Sequence, residues 1–232
     1  MAETPRFAHL GVLLFLASGL VVAVCIATAL VAALAKAFPL AKVACATAAS
    51  IFGGYAALLL TVAIASPSRT LAVGGWKYFC EADCHIAYQI ANVQFASTLG
   101  PESGLATARG RFVVVRLKTW FDQHSIAHFR GDRPLTPDER TVELVDGSGR
   151  RYRPVPELPA ALDRGSTPIR EPLRPGESYL TTFVFDLPSA AAEPRLLITD
   201  DEPVSRLLVD HENSPLHGKI YLSLDSATAA RR

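Results

Sequence analysis

Three residues carry most of the chemical potential of this 232-residue chain: Cys80, Cys84 and His85, within "GGWKYFCEADCHIAYQI" (Gly74 to Ile90). Two thiols with an imidazole directly after the second can close a disulfide, hold a soft metal or anchor a haem. On a straight strand the two α-carbons would stand about 13 Å apart at roughly 3.3 Å per residue, whereas a disulfide needs roughly 4.4 to 6.8 Å. Oxidation therefore requires Glu81, Ala82 and Asp83 to bend the chain, and outside the cytoplasm that is the default fate of nearby cysteines. Thiolate and imidazole also suit copper or zinc, with His211 or His217 as a further ligand. Covalent haem c fits less well, because Cys-x-x-x-Cys-His is one residue longer than the usual attachment motif. The sixth haem ligand is often a methionine, and Met1 is the only one in the chain.

Other polar clusters read as structure. "DHENSPLHGK" gathers Asp210, His211, Glu212 and His217, and its Asn213, Ser214 and Pro215 have the chemistry of a turn. "FDQHSIAHFRGDRP" holds His124, His128 and the tripeptide Arg130 to Asp132, and reads as a solvated loop. No Gly-flanked nucleophile turn and no phosphate-cradling glycine loop occurs, so the expectation is a protein that is not an enzyme.

The elements that must position the cysteine segment begin with two apolar runs. Leu10 to Ala35 and Val43 to Ala65 pass 26 and 23 residues without a charge. Each can cross a hydrocarbon layer of roughly 30 Å at about 1.5 Å per residue. The link "KAFPLAK" is short and carries Pro39, which predicts a transmembrane helical hairpin over residues 1–69, with spans at about 10–35 and 43–65. A cleaved signal peptide, the alternative for the first run, has a shorter apolar region behind a more basic start. Lys36 and Lys42 favour a cytoplasmic turn, which sends the rest of the chain outside. Small residues recur at four-residue spacing on the second run: Ala49 and Gly53, Ser50 and Gly54, Gly53 and Ala57. Such a face allows close backbone approach to the first helix or to another membrane protein, and the hairpin itself is its expected user. Cys25 and Cys45, inside the spans, read as inert apolar fillers.

Beyond the hairpin, short strands alternate with turn signals. "HIAYQIANVQFAS" predicts a long strand with a slip near Asn92, "RFVVVRLKTWF" a β-branched strand, and "TVELVDGSGRRYRP" a hairpin turning at Gly147 to Gly149. "SYLTTFVFDLP", "PRLLITD" and "KIYLSL" add three more. Six prolines between Arg153 and Pro175 make a long loop. The expected architecture is all-β, an antiparallel sandwich over residues 70–224 with a disordered tail at 225–232. Its predicted core includes Val113, Val115, Leu117, Leu144, Phe183, Phe185, Leu197 and Leu222. Of 23 basic and 22 acidic residues, only Arg6, Lys36, Lys42 and Glu3 precede residue 66, which leaves 20 against 21. So balanced a domain is not built to grip nucleic acid.

The order of these pieces resembles the telokin-like, immunoglobulin-type domains of unknown function found on bacterial membrane and secreted proteins. The matching positions are Asp146 and Gly147 in the hairpin turn, Pro175 and Gly176 before the next strand, and Phe185, Asp186 and Pro188 at its end. The resemblance covers roughly Arg111 to Thr199 and implies a fold without catalytic residues. Two spans and a sandwich also resemble, in outline, subunit II of haem-copper oxidases. There, however, the cysteine segment lies near the carboxyl end with a methionine ligand. The combined expectation is a non-enzymatic interaction module in the bacterial inner membrane, with its sandwich on the extracytoplasmic side, acting as an accessory subunit of a larger complex. The alternative is a copper- or zinc-handling protein built on Cys80, Cys84 and His85.

Overall fold

A computed structural model of the protein describes residues 2–3, 8–79, 85–100, 106–126, 130–156, 165–200 and 202–224. The chain forms two compact units, and they do not follow chain order: Glu202–Gly218 belongs with the helices, and Met1–Thr4 with the sandwich.

In the helical unit, α1 (Ala8–Leu34) and α2 (Phe38–Ala65) form a hairpin closed by a turn in which Lys36 takes φ 58°. Pro39 sits in the first turn of α2, where its missing N–H would have had no helical partner anyway. Ala29 and Ala32 of α1 and Ala44, Leu59 and Ala63 of α2 are buried. Val12, Phe15, Ser18, Val22 and Cys25 of α1 are half-buried positions, three and four residues apart, as facing helices require. Both helices are long and apolar enough to cross a membrane, and large apolar side chains such as Leu13, Leu20, Val24 and Val31 face outwards. Three of their hydroxyls are consumed within the helix: Ser18 Oγ donates to the Leu14 carbonyl at 2.7 Å, Thr47 Oγ1 to Val43 at 3.0 Å and Thr61 Oγ1 to Ala57 at 2.7 Å.

Glu202–Gly218 packs along this hairpin. A 3-10 turn over Pro203–Leu207 brings the Leu207 carbonyl 2.5 Å from the hydroxyl of Tyr55, which donates to it. A Cβ at Gly11 would stand 2.5 Å from the carbonyl oxygen of Val209, so only glycine admits the segment there.

The second unit is a sandwich of two five-stranded sheets. The strands are β1 (Ala2–Glu3), β2 (Arg69–Leu71), β3 (Trp76–Tyr78), β4 (Ile86–Leu99), β5 (Ala106–Phe121), β6 (Arg140–Val145), β7 (Arg151–Tyr152), β8 (Ser178–Leu187), β9 (Arg195–Asp200) and β10 (Ile220–Ser223). One sheet runs β1-β3-β4-β5-β8 and the other β2-β10-β9-β6-β7. The expected all-antiparallel pairing holds in the interior. At two edges it gives way to parallel pairs, β1 with β3 and β2 with β10. The register of β4 on β5 shifts between Ile90 and Asn92, at the slip that the broken alternation indicated.

Val113, Val115, Leu117, Leu144, Phe185 and Leu222 lie in the core between the sheets. Phe183 is only half-buried beside them. Leu197 is buried but absent from that core, because its neighbours Leu196 and Ile198 take the inward face of β9. The described parts of the proline-rich loop lie along the outer edge of β8. Val155 N–H donates to the Val184 carbonyl at 2.7 Å, Thr167 N–H to that of Leu180 at 2.9 Å, and Thr182 N–H to Ser166 Oγ at 2.9 Å.

Candidate functional site

Cys80 and Cys84 lie outside the described residues, and with them the bend at Asp83 that a disulfide needs. His85 is buried at the start of β4, its ring stacked on Phe121 with centroids 5.6 Å apart and planes 16° apart. Its Nδ1 is 2.8 Å from Ser125 Oγ, which itself donates to the carbonyl of Asp122 at 2.8 Å. With the Ser125 hydroxyl proton committed to Asp122, Nδ1–H is the donor to Ser125.

Phe79, just before Cys80, is the centre of a buried polar cluster. Lys77 Nζ lies 5.0 Å from the centroid of its ring and Arg140 Cζ 4.0 Å. Arg140 pairs with Asp200 at 3.7 Å and Asp138 at 3.5 Å. The edge of Tyr88 meets the Phe79 ring at 5.6 Å and 85°. Burial raises the pKa of the Tyr88 hydroxyl, the positive charge of Arg140 working against it. The cysteine segment thus grows out of a cluster of buried charges in the sandwich. Nothing in the local sequence announces this except that Lys77 and Phe79 share one face of a strand and Trp76 and Tyr78 the other.

Nearby, Tyr78 donates to Asp122 Oδ2 at 2.9 Å. Burial and the hydrogen bond to Asp122 together raise the tyrosine's pKa. Burial of Asp122 would raise its own pKa, but hydrogen bonds from the His124 N–H, Tyr78 and the His124 ring outweigh it, so the carboxyl titrates below its usual range. His124 is exposed, and Asp132 pairs with Arg174 at 3.5 Å in the same solvated region. His128 lies outside the described residues.

His211 and His217 serve local structure in the helical unit. His211 Nδ1 accepts from the Asn213 N–H at 3.0 Å. His217 Nδ1 donates to the Gly218 carbonyl at 2.7 Å, and its Nε2 is 3.7 Å from Asp210 Oδ1. Among the described residues no three of His, Cys, Asp and Glu converge on a point where a metal ion would sit. Cys25 is a half-buried free thiol and Cys45 an exposed one. An open cavity of about 540 Å³ beside β8 is lined by Thr167, Glu171, Leu173, Glu177, Ser178 and Tyr179. No histidine or cysteine lines it.

The small-residue face of α2 turns outward. Ala49, Ser50, Gly53, Gly54 and Ala57 are all exposed, and beyond its own helix no atom lies within 4 Å of a Cβ placed at Gly53 or Gly54. The hairpin seam uses Ala44, Ile51, Tyr55, Leu59 and Ala63 of α2 instead, because those positions carry the side chains that fill the space against α1.

No family model and no curated protein matches the chain. Among solved structures it is similar to a conserved hypothetical protein of Bacillus anthracis, at 17% identity over 55% of this chain and 87% of that one, with a TM-score of 0.42. It is similar to a secreted protein of Mycobacterium tuberculosis at 11% identity over 67% and 97%, with a TM-score of 0.43. A third likeness is to an uncharacterised β-sandwich protein of Clostridium difficile, at 13% identity over 69% and 96%, with a TM-score of 0.40.

Proposed function

We propose that the chain is a non-enzymatic interaction module anchored in the bacterial inner membrane by α1 and α2, with its sandwich on the extracytoplasmic side, and that it serves as an accessory subunit of a larger membrane complex. The observation that carries this reading is the outward face of α2. Without a hydrophobic force between helices in lipid, association depends on close backbone packing, which small residues permit. Ala49, Ser50, Gly53, Gly54 and Ala57 offer that surface, and α1 does not occupy it. Lys36 and Lys42 in the turn support a cytoplasmic loop.

Native gels of membranes solubilised in mild detergent test the proposal. The wild-type chain should migrate in an assembly larger than one chain in its micelle, and Gly53→Leu with Gly54→Leu should release it. A wild-type chain that runs alone, or an assembly indifferent to both substitutions, overturns the reading. A reporter fused after Arg69 should be active only in a form that works outside the cytoplasm.

A second reading, copper or zinc handling by Cys80, Cys84 and His85, draws support from the Nδ1 contact with Ser125, the kind of hydrogen bond that orients a ligating imidazole. Metal content with free-thiol counting separates the two. Metal-free protein with Cys80 joined to Cys84 supports the interaction module, and one bound metal per chain with reactive thiols favours the alternative.

A further inference from the structure

We infer that Glu202–Gly218 is a lipid-binding collar, seated in the headgroup layer where the helical hairpin leaves the bilayer, with Val204, Leu207 and Leu216 reaching into the acyl chains. The inference rests on the membrane anchor proposed above and concerns a different surface from the small-residue face.

The helices give the depth. From Phe38 to Tyr55 α2 rises about 26 Å, and from Leu34 back to Phe15 α1 rises about 29 Å, at about 1.5 Å per residue. Both distances match a hydrocarbon layer of about 30 Å that begins at the hairpin turn, which sets its outer boundary at Phe15 and Tyr55, short of the charge-free limits at Leu10 and Ala65. The Phe15 and Tyr55 rings meet at that level, with centroids 6.2 Å apart. Aromatic side chains favour such a boundary, and Lys42 can extend its ammonium back to the turn side. The collar is fixed at this level and above it. Tyr55 donates to the Leu207 carbonyl, and Gly11, about 6 Å further out along α1, admits the backbone of Val209.

At that depth the exposed side chains become informative. Val204 and Leu207 are each 50% exposed and Leu216 is 72% exposed. They do not stand out through looseness of the segment: Ser214 Oγ donates to the Leu208 carbonyl at 2.5 Å, and Asn213 Nδ2 to Ser205 Oγ at 3.1 Å. Leu216 is held at φ 66°, a left-handed conformation that leucine rarely adopts. A fold that tolerates this strain while leaving the side chain uncovered is consistent with a partner outside the chain. Continuity with the apolar helices of the same unit makes that partner lipid. Arg206, exposed between Val204 and Leu207, supplies a guanidinium at the height of the phosphates.

The test uses the wild-type chain in phosphatidylethanolamine and phosphatidylglycerol vesicles containing a phospholipid with a diazirine on its acyl chain near the headgroup. After irradiation, adducts are mapped by mass spectrometry. Adducts should appear on α1 and α2 and also between Val204 and Leu216. Replacing Val204, Leu207 and Leu216 together by serine should remove the second set and keep the first. Labelled helices with an unlabelled 202–218 segment overturn the collar and leave the anchor standing. Unlabelled helices overturn both.

Discussion

The ammonium of Lys77 donates to the carbonyl oxygen of Ile198 at 2.6 Å, from one sheet of the sandwich to the other. A second bond reaches Ile220 at 3.0 Å, on the strand beside it. One side chain, 2% exposed, therefore ties β3 to both β9 and β10. Lys77→Met keeps the length and deletes the donor, and should cost about 1.5 to 3 kcal/mol, the range for hydrogen bonds to charged groups. Both tryptophans, Trp76 and Trp120, lie in the sandwich, so their fluorescence during chemical denaturation reads this unit alone. An unchanged midpoint would show that the cross-sheet bonds contribute nothing.

Phe185 is wholly buried on β8 and paired in register with Val113 of β5. Phe185→Ala should cost about 3 to 5 kcal/mol, the usual loss for a buried aromatic. Phe183→Ala, on the same face but half-buried, should cost less. Equal losses would contradict the packing, and the same denaturation measurement decides.

Asp146 organises the β6–β7 turn. Its Oδ1 accepts from Ser148 Oγ at 2.6 Å, from Ser148 N–H at 2.9 Å and from Arg150 N–H at 3.0 Å, while Oδ2 accepts from Tyr152 at 2.8 Å. The bond from Ser148 contributes most to holding the carboxyl far below its usual range, and burial works in the opposite direction. A depressed folded-state pKa stabilises the protein above the unfolded pKa of about 3.9, and that contribution disappears as pH falls further. Asp146→Asn should thus be less stable than wild type near neutrality, and should lose less stability between about pH 5 and 2. Parallel pH profiles would remove Asp146 as the source.

Gly11→Ala places a methyl group where the Val209 carbonyl now stands. The expected result is release of 202–218 from α1, seen as faster trypsin cleavage at Arg206 in detergent micelles than in wild type. Equal rates would show that the segment is held without Gly11.

What the sequence revealed divides along the range of the interactions. Alternation in "HIAYQIANVQFAS" gave the long strand and its slip at Asn92, because both are local properties of one strand and its two faces. Length and the absence of charge delimited the two helices for the same reason. The pairing of β2 with β10 and the docking of Leu207 on Tyr55 join residues about 150 positions apart, and no periodicity encodes such partners. Lys77 was hidden differently: a lysine beside two glycines reads as surface until its acceptors, on strands far along the chain, are known. The small residues from Ala49 to Ala57 were expected to face α1 and do not, since which face meets α1 depends on the side chains of both helices.

The loop along β8 has a consequence for how this sandwich meets its neighbours. Among the described residues, the other outer strands are β1, β2 and β7, of two, three and two residues. Along β8 main-chain groups are engaged by Val155, Ser166 and Thr167, whereas β4, 14 residues long, pairs with β3 only at Ala87 and Tyr88. A foreign strand therefore finds no free ladder to continue along β8. Recognition of a partner at that edge then falls to side chains and loops, which can be selective where bare backbone cannot.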